Sequence, residues 1–470
     1  MIERKEILID GKWVSSTSDR TLAVENPVTE EVFATIPKGT AEDVDMATDA
    51  AVRAFGTWST STLDERAEVL KAIADALEAR ADEVTRTIVT EIGEPMSLAT
   101  KHQTVSSINH LRNTADALKD IDWDEQVGST LVHRAPVGVV GAITPWNVPM
   151  LMIAMKVGAA IAAGCSVVLK GTEVAPFSSF LFAEATLDSG LPAGVFNLVS
   201  GTGPEVGEAI AGHPHIDMVS LTGSVRAGSR VMEVASRSVK RVALELGGKS
   251  ANVVLDGADL TRAVTAGVED CYRNSGQVCG GLTRLLVHRS QVAEAEEIAA
   301  ARAAQYVLGD PFAADTTLGP VVTRSQRDRV RSLIESGIEQ GAKLVAGGSE
   351  QPEGIDRGYF IKPTVFTGTP DIRIAREEIF GPVVTILPYD TEEEAIAIAN
   401  DSDYGLAGAV WADSDERARA VALRLRTGRI RINGSAVNPR APHGGFKLSG
   451  IGRENGRYGI EDFLEYQSIG

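Results

Sequence analysis

Two short runs of sequence establish the architecture of this chain: Gly-Val-Val-Gly-Ala-Ile-Thr at residues 138–144 and Ser-Val-Val-Leu-Lys at residues 166–170. An apolar, alanine-rich segment lies between them. Similar β-branched runs follow at 195–199, 216–222 and 241–246, again separated by alanine-rich segments. Alternation of this kind predicts parallel strands joined by crossover helices, and therefore a doubly wound α/β sheet.

The flanking sequence predicts further helices and a second sheet. Before the first sheet, the patterns indicate hairpins at 7–14 and 23–36 and helices at 40–55 and 63–92. After it, a second alternating series has strands at 251–255 and 284–288 and helices at 259–273 and 293–306. We place a domain boundary near Gly247 and Gly248, so we expect a reactive cleft between two α/β units.

Composition excludes several classes of function. The chain has 470 residues and a formal net charge of −18, so DNA and anionic membrane surfaces would be repelled. Its three cysteines have no paired spacing, which argues against a disulfide framework and a zinc ribbon. The most apolar region, 148–169, is interrupted by Lys156, and the first residues are too charged for a signal peptide. We expect a cytoplasmic protein that acts on a small molecule and binds neither nucleic acid nor membrane.

Cys279 and Glu245 are the strongest candidates for catalysis. Cys279 lies in Asn-Ser-Gly-Gln-Val-Cys-Gly-Gly (274–281), whose glycine and polar residues favour an open turn over a packed core. Glu245 ends an apolar strand, where an ionised carboxylate is costly unless it has an ion-pair partner or a chemical task. A thiolate can attack an electrophilic carbon, and a carboxylate can activate water against the resulting thioester. We interpret Cys165 and Cys271 as inert core residues.

Five motifs give the chain its resemblance to a known family. They are Thr-Pro-Trp-Asn (144–147), Leu-Glu-Leu-Gly-Gly-Lys (244–249), Gly-Gln-Val-Cys (276–279), Glu-Glu-Ile-Phe-Gly-Pro (377–382) and Gly-Gly-Phe-Lys-Leu-Ser-Gly (444–450). With them, nearly the whole chain resembles the NAD(P)-dependent aldehyde dehydrogenase superfamily. The resemblance implies a Rossmann-like cofactor domain at 1–120 and 136–247, an α/β catalytic domain at 248–440, and a small β oligomerisation arm at 121–135 and 455–470. Because such an arm has unpaired strand edges, we expect a homodimer or homotetramer.

The resemblance also implies roles for individual residues. Asn147 and the backbone N–H of Cys279 would hold an oxyanion, and Glu245 would be the general base. Lys170 and Glu173 would hold the adenosine ribose; because a carboxylate there repels the 2′-phosphate of NADP, we expect NAD as the cofactor. The residues expected to contact it are Ile143, Thr144, Pro145, Trp146, Lys170, Thr172, Glu173, Gly203, Gly207, Thr222, Gly223, Ser224, Leu246, Gly247, Glu378 and Phe380.

The substrate side is less determined. The resemblance places the aldehyde among side chains that follow Asn147 or surround Cys279: Leu151, Met152, Met155, Arg273, Val278, Gly280 and the loop 436–443 with Arg440. The leucine and methionines form an adaptable apolar wall, which favours medium-chain or aromatic aldehydes. Alternatively, Arg273 or Arg440 pairs with the carboxylate of a semialdehyde, unless both face solvent or a neighbouring subunit. His443 stands where many members carry Phe, and the sequence assigns it no role.

Three other functions are weighed against aldehyde oxidation. Some family members transfer the acyl group to coenzyme A, but these generally lack the base that Glu245 supplies. A cysteine hydrolase needs a histidine partner, and the nearest downstream one, His288, lies in an apolar strand pattern. A structural or redox-binding protein on the same fold would have lost a catalytic residue, and none is lost here. The seven histidines show no metal-ligand spacing, so we expect no metal.

Overall fold

A computed structural model describes all 470 residues, Met1 to Gly470. Its strands are β1 (Ile2–Glu3), β2 (Glu6–Ile9), β3 (Lys12–Ser15), β4 (Thr21–Asn26), β5 (Glu31–Pro37), β6 (Asp124–Val127), β7 (Thr130–Pro136), β8 (Val139–Ile143), β9 (Ser166–Lys170), β10 (Phe196–Val199), β11 (Met218–Thr222), β12 (Arg241–Glu245), β13 (Ala251–Val254), β14 (Arg284–His288), β15 (Lys343–Ala346), β16 (Thr364–Thr367), β17 (Val383–Tyr389), β18 (Tyr404–Gly405), β19 (Ala407–Trp411), β20 (Arg429–Ile432), β21 (Phe446–Lys447), β22 (Gly450–Ile451) and β23 (Leu464–Ile469).

Sixteen α-helices connect and cover these strands. They are α1 (Ala41–Trp58), α2 (Leu63–Ala79), α3 (Ala81–Ile92), α4 (Met96–Ala99), α5 (Ser106–Ala117), α6 (Pro149–Ala163), α7 (Phe177–Asp188), α8 (Glu208–Gly212), α9 (Val225–Ala235), α10 (Leu260–Tyr272), α11 (Val292–Ala303), α12 (Arg324–Glu339), α13 (Arg373–Arg376), α14 (Glu392–Asn400), α15 (Asp415–Ala422) and α16 (Gly456–Glu461). A π-helical turn at Thr100–Val105 joins α4 to α5, and a second one at Gly203–Gly207 precedes α8.

The larger sheet has eight strands in the order β22-β12-β11-β8-β9-β10-β2-β3. The five strands from β12 to β10 are parallel. At the edges, β22 pairs antiparallel with β12, β2 pairs antiparallel with β10, and β3 pairs antiparallel with β2. Helices α6, α7, α8 and α9 connect successive parallel strands. The predicted doubly wound sheet is therefore confirmed, and β2 with β3 forms the predicted hairpin at 7–14.

The second sheet has seven strands in the order β15-β16-β17-β14-β13-β19-β20, parallel except for β15. It begins at β13, directly after the Gly247–Gly248 pair. A third sheet, β23-β7-β6, is antiparallel and pairs the last strand of the chain with the hairpin at 124–136. Helix α16, which precedes β23, packs against α5 and α6.

The predicted continuous helix at 63–92 is wrong, because the chain forms two helices there. Helix α2 ends at Ala79 and α3 begins at Ala81, since Arg80 between them has φ −112° and ψ 21°, outside the helical range. The starts of α1 and α2 follow the sequence closely. Thr40 and Thr62 each accept a hydrogen bond from the backbone three residues later and form capping boxes.

The most apolar region of the sequence forms α6 and β9 in the interior. Helix α6 is buried on nearly all sides because α2, α5 and α7 pack around it, which explains its uniformly apolar sequence. The Nζ atom of its one charged residue, Lys156, lies 2.8 Å from the Glu454 carboxylate. No helix of the chain combines the length and apolar character needed to cross a lipid bilayer.

Candidate active site

The carboxyl ends of the parallel strands meet at one edge of the larger sheet. The register puts Ile143 of β8 beside Lys170 of β9 and Leu221 of β11, and Thr222 beside Glu245 of β12. Residues that are far apart in sequence are therefore neighbours at this edge. The edge has the position at which doubly wound sheets bind ligands.

Cys279 lies on a loop with a strained backbone. After α10 ends, Asn274 and Ser275 adopt left-handed conformations with φ of 48° and 55°. Gly276 follows with φ 76°, and a Cβ atom there would lie 2.0 Å from the carbonyl oxygen of Gly381, so no other residue fits. Strained segments of this kind cluster at functional sites, where the surrounding structure holds them in place.

Three hydrogen bonds anchor this loop to its surroundings. Ser275 Oγ donates to the Gly319 carbonyl at 2.7 Å, the Val322 N–H donates to Gln277 Oε1 at 2.9 Å, and Asn274 Nδ2 donates to the Asn147 carbonyl at 2.9 Å. Cys279 is left half-buried at the end of the anchored loop, whereas Cys165 and Cys271 are fully buried. The one accessible thiol therefore lies on a loop held in place by hydrogen bonds.

Asn147 lies against the cysteine loop. Its Nδ2 atom donates to the carbonyl oxygen of Gln277, two residues before Cys279, at 2.9 Å. Gln103 of the π-helical turn and Asn274 both donate to the backbone carbonyl of Asn147 and fix its position. Because a side-chain amide carries two N–H donors, Asn147 retains one for another acceptor near the thiol.

Glu245 and His443 form a buried pair beside Cys279. His443 Nε2 lies 3.3 Å from Glu245 Oε2, and their side chains are only 11% and 7% exposed. Burial alone would lower the pKa of His443, but the Glu245 carboxylate, together with the Cys279 thiol, outweighs burial and raises the pKa to about 10. The sequence did not predict this contact, although it marked His443 as a departure from the commoner Phe.

The crevice at the strand ends carries groups that suit a dinucleotide. Lys170 Nζ and the Glu173 carboxylate lie 2.7 Å apart at the end of β9. The buried hydroxyls of Thr144 and Thr222 have no hydrogen-bond partner within the protein, and a Cβ atom at Gly203 would meet open space. Donors without partners beside an open glycine fit a polar ligand that approaches the backbone closely.

The remaining residues predicted to bind the cofactor lie in or beside this crevice. Ser224 is the N-cap of α9, whose amino end therefore opens at the strand edge, as phosphate groups prefer. Gly203 and Gly207 begin and end the second π-helical turn. The others lie at the strand ends or directly after them: Ile143 at the end of β8 and Thr144, Pro145 and Trp146 after it, Thr172 after β9, Thr222 at the end of β11 and Gly223 after it, and Leu246 and Gly247 after β12.

Glu378 and Phe380 approach the crevice from the second sheet. The Gly248 N–H donates to Glu378 Oε1 at 3.0 Å, and burial raises the pKa of Glu378 to about 7. Phe380 has φ 58° and its ring meets the Trp146 ring edge-on, with centroids 5.4 Å apart. These contacts close one side of the crevice with residues from both sheets.

A cleft of about 710 Å³ opens on the other side of Cys279. It is lined by the predicted Leu151, Met152, Met155, Arg273, Val278 and Gly280, and also by residues that the sequence did not single out, among them Glu94, His102, Gln103, Arg429 and Arg431. The π-helical turn at 100–105 supplies His102 and Gln103. Cys279 thus separates a crevice of strand ends from a cleft with both apolar and charged walls.

Comparison with known proteins identifies the family. The family model described as "Aldehyde dehydrogenase family" matches residues 13–469. The chain is 48% identical to 3-succinoylsemialdehyde-pyridine dehydrogenase of a Pseudomonas species, and the match covers 100% of this chain and 99% of that protein. The chain belongs to the aldehyde dehydrogenase family. The resemblance seen in the sequence, and the α/β fold class it implied, are therefore confirmed.

Solved structures of other aldehyde dehydrogenases superpose on the whole chain. A mutant of aldehyde dehydrogenase C from Pseudomonas syringae, complexed with NAD⁺ and octanal, has a TM-score of 0.98 and 46% identity, with coverage of 99% of this chain and 96% of that one. The Mycobacterium tuberculosis aldehyde dehydrogenase complexed with NAD⁺ has a TM-score of 0.97 and 40% identity, with coverage of 100% and 98%.

The arginines of this aldehyde dehydrogenase differ in their access to the cleft. Arg440, predicted to bind substrate, is not among the cleft-lining residues and pairs with Asp120 in an exposed bridge. Arg273 lines the cleft, but its guanidinium lies 3.9 Å from Asp270, which Arg431 approaches to 2.9 Å. A charge pattern in sequence cannot tell which arginines share a carboxylate in space.

Arg429 is the cleft arginine that the sequence missed. It begins β20 and has no carboxylate partner. Burial lowers its pKa, and the nearby Cys279 partly opposes that effect. A guanidinium without a carboxylate partner beside the thiol favours negative charge at that point.

Proposed function

We propose that this enzyme oxidises an aldehyde to its carboxylic acid with NAD, through a covalent adduct on Cys279. The observation that carries the proposal is the meeting of one accessible thiol, one free amide donor on Asn147 and one buried carboxylate on Glu245. We further propose that the larger sheet binds the cofactor and that the loop after α10 supplies the nucleophile.

The first step is addition of the Cys279 thiolate to the aldehyde carbon. The carbonyl oxygen becomes an oxyanion, and the second N–H of the Asn147 amide and the backbone N–H of Cys279 are the donors that would hold it. One such donor contributes about 3–4 kcal/mol to the transition state in comparable sites. When bound at the strand ends, NAD supplies the hydride acceptor for the adduct.

Lys170 and Glu173 would hold the adenosine ribose, and Glu378 the ribose next to the nicotinamide. The Glu173 carboxylate disfavours a 2′-phosphate, which supports NAD over NADP. The unpartnered hydroxyls of Thr144 and Thr222 would bind polar groups of the cofactor. Trp146 and Phe380, in contact with each other, would shield the reacting face from water.

The thioester left on Cys279 is hydrolysed in the second half of the reaction. Neither carboxylate oxygen of Glu245 accepts a hydrogen bond from a protein donor, so the group can take a proton from water. The attacking water gives its proton to Glu245, the carbon–sulfur bond breaks, and the electron pair returns to Cys279. The acid leaves and the thiolate is restored.

An acid-quench experiment tests this route. Mixed with NAD and octanal for milliseconds and then quenched, the enzyme should carry an acyl mass on the peptide that contains Cys279. The peptides of Cys165 and Cys271 serve as internal controls and should stay unmodified, because both thiols are buried. Turnover at the normal rate in Cys279→Ser, or failure to find the adduct when reduced cofactor has formed, would refute the proposal.

A semialdehyde with a carboxylate is a second candidate substrate. The observation in its favour is Arg273, which lines the cleft beside Cys279 and shares Asp270, 3.9 Å away, with Arg431. Arg273→Leu should lower kcat/KM for succinic semialdehyde about tenfold or more relative to butanal. Arg440→Leu is the matched control, since Arg440 lies outside the cleft. Equal effects on both substrates would leave the apolar aldehydes favoured by Leu151, Met152 and Met155.

We also propose that the enzyme forms a homodimer or homotetramer. The third sheet ends in β6 and β23, whose side chains are largely exposed and whose outer backbone edges are unpaired in the single chain. Such edges are open to pairing with the backbone of another chain. Light scattering coupled to size exclusion tests the assembly, and a mass of one chain at micromolar concentration would contradict it.

A further inference from the structure

His443 lies where the two reactive groups of the site meet. Its ring forms the 3.3 Å pair with Glu245 and lines the same cleft as Cys279. Its other nitrogen, Nδ1, is buried and has no hydrogen-bond partner in the protein. A buried imidazole between a thiol and a carboxylate is the arrangement in which a proton moves from sulfur to nitrogen.

We propose that His443 takes the proton of the Cys279 thiol, so that the resting enzyme holds a thiolate–imidazolium pair that Glu245 stabilises. The S–H bond breaks, an N–H bond forms on the imidazole, and the electron pair stays on sulfur. This proposal rests on the proposed function, because it assumes that Cys279 is the nucleophile.

The imidazolium would act at two stages. In the first half of the reaction it keeps the sulfur ionised before the aldehyde arrives. In the second half it faces the same sulfur as the thioester breaks, and stabilises the leaving thiolate. Throughout, the proton stays on His443, so the Glu245 carboxylate remains available for the proton of the attacking water.

The surroundings of His443 are electrically balanced for this pair. The groups that act on it are Glu245 on β12, Cys279 on its loop, Arg429 on β20 and Glu454 before α16. Lys156 on α6 and His110 on α5 lie next to Glu454 in turn. The backbones of His443 and Glu454 exchange two hydrogen bonds, of 2.8 and 2.7 Å. The negative charges of Glu245 and Glu454 balance the positive charges of Arg429 and Lys156. Burial lowers the pKa of His110 to about 4, so the His110 ring stays neutral. Proton transfer within the pair therefore adds no net charge to the cluster.

The other two cysteines are the internal comparison for a thiol that has no neighbouring histidine. Cys165 is buried, and burial raises the pKa of its thiol to about 12. Burial also raises the pKa of Cys271. Neither has a histidine beside it as Cys279 does. The contrast gives the experiment two unreactive thiols in the same molecule.

Alkylation by iodoacetamide tests the proposal without cofactor or substrate. The rate at the Cys279 peptide, followed by mass spectrometry between pH 5 and 10, should give a midpoint at least one unit below the ordinary thiol value of about 8.5. In His443→Gln and His443→Phe the midpoint should rise by about one unit or more, a tenfold change in the acid constant. His102→Gln, which removes another histidine of the same cleft, is the matched control and should leave the midpoint unchanged.

The outcomes separate the possible failures. A wild-type midpoint near the ordinary value, or the same midpoint in the wild type and His443→Gln, overturns the role of His443. The wild-type result needs no variant. Because an unfolded chain would also show the ordinary midpoint of about 8.5, a variant is scored only when its Cys165 and Cys271 peptides stay unalkylated, as they are buried in the folded protein. If the low midpoint is found but Cys279→Ser still oxidises aldehydes, the proposed function fails and the ion pair stands.

Discussion

The two sides of Cys279 are built in different ways. On the cofactor side, Thr144, Lys170, Thr222 and Glu245 lie at the ends of neighbouring strands whose register sets their spacing. On the substrate side, the cleft draws residues from a π-helical turn, α6, β20 and the loop at 436–443, which only long-range packing brings together. The cofactor side follows from the repetition of one β–α unit, whereas the substrate side depends on contacts between distant segments. A family can therefore keep the cofactor side while its members vary the other.

Of the variants that test the difference between the cofactor side and the substrate side, Glu245→Gln should reduce turnover the most. Without the general base, thioester hydrolysis should slow about a thousandfold, within the usual range for such groups. Acylation should persist, so stopped-flow absorbance should show a burst of about one reduced cofactor per Cys279 and little after it. Steady turnover without a burst would mean that Glu245 does not act on the thioester.

Asn147→Ala should reduce kcat about a hundredfold, because one of the oxyanion donors is lost. Asn147 belongs to both sides, since its amide faces the cysteine loop and its carbonyl accepts from Gln103 of the cleft. Binding of NAD, measured by calorimetry, should change little. Asn147→Asp is a matched variant of the same size, and full activity in either would remove the oxyanion role.

Glu173→Ala should alter cofactor preference alone. Removing the carboxylate withdraws an acceptor for the 2′-hydroxyl of NAD and the repulsion of the 2′-phosphate of NADP. The ratio of kcat/KM for NAD to that for NADP should fall about tenfold, the value of one charged hydrogen bond. The ratio of octanal to succinic semialdehyde should stay constant; a shift in that ratio would show that the two sides are coupled.

The stability of the wild type relative to His443→Phe should depend on pH. The folded pKa of His443, about 10, lies above the value of about 6.5 in an unfolded chain. The pairing of the His443 imidazolium with Glu245 therefore stabilises the fold fully below pH 6.5. That contribution is lost as the pH rises through 10. Thermal unfolding should therefore show the largest Tm difference at pH 6 and a narrowing difference toward pH 10. A difference independent of pH would indicate a packing effect only.

The sequence predicted the larger sheet and the residues at its strand ends because both follow from local patterns. Strands β9 and β14 have the predicted bounds, and Cys279 and Glu245 stand out by their neighbours in sequence. The break at Arg80 could not be predicted, since the apolar spacing continues through it and only its backbone angles differ. The roles of His443 and Arg429 could also not be predicted from the sequence. Their importance comes from side chains that lie more than a hundred residues away along the chain.

The π-helical turn at Thr100–Val105 has a practical consequence for redesign of this enzyme. A π turn is an α-helix that carries one surplus residue, and such turns persist where they serve function. Because the wide turn absorbs the surplus residue, an in-frame deletion of one codon there would restore a regular helix and leave α5 in phase with α4. The change would be confined to the turn, whose Gln103 now donates to Glu94 and to the Asn147 carbonyl. A single deletion would thus remodel one wall of the cleft, while leaving α5 and the strand ends in place.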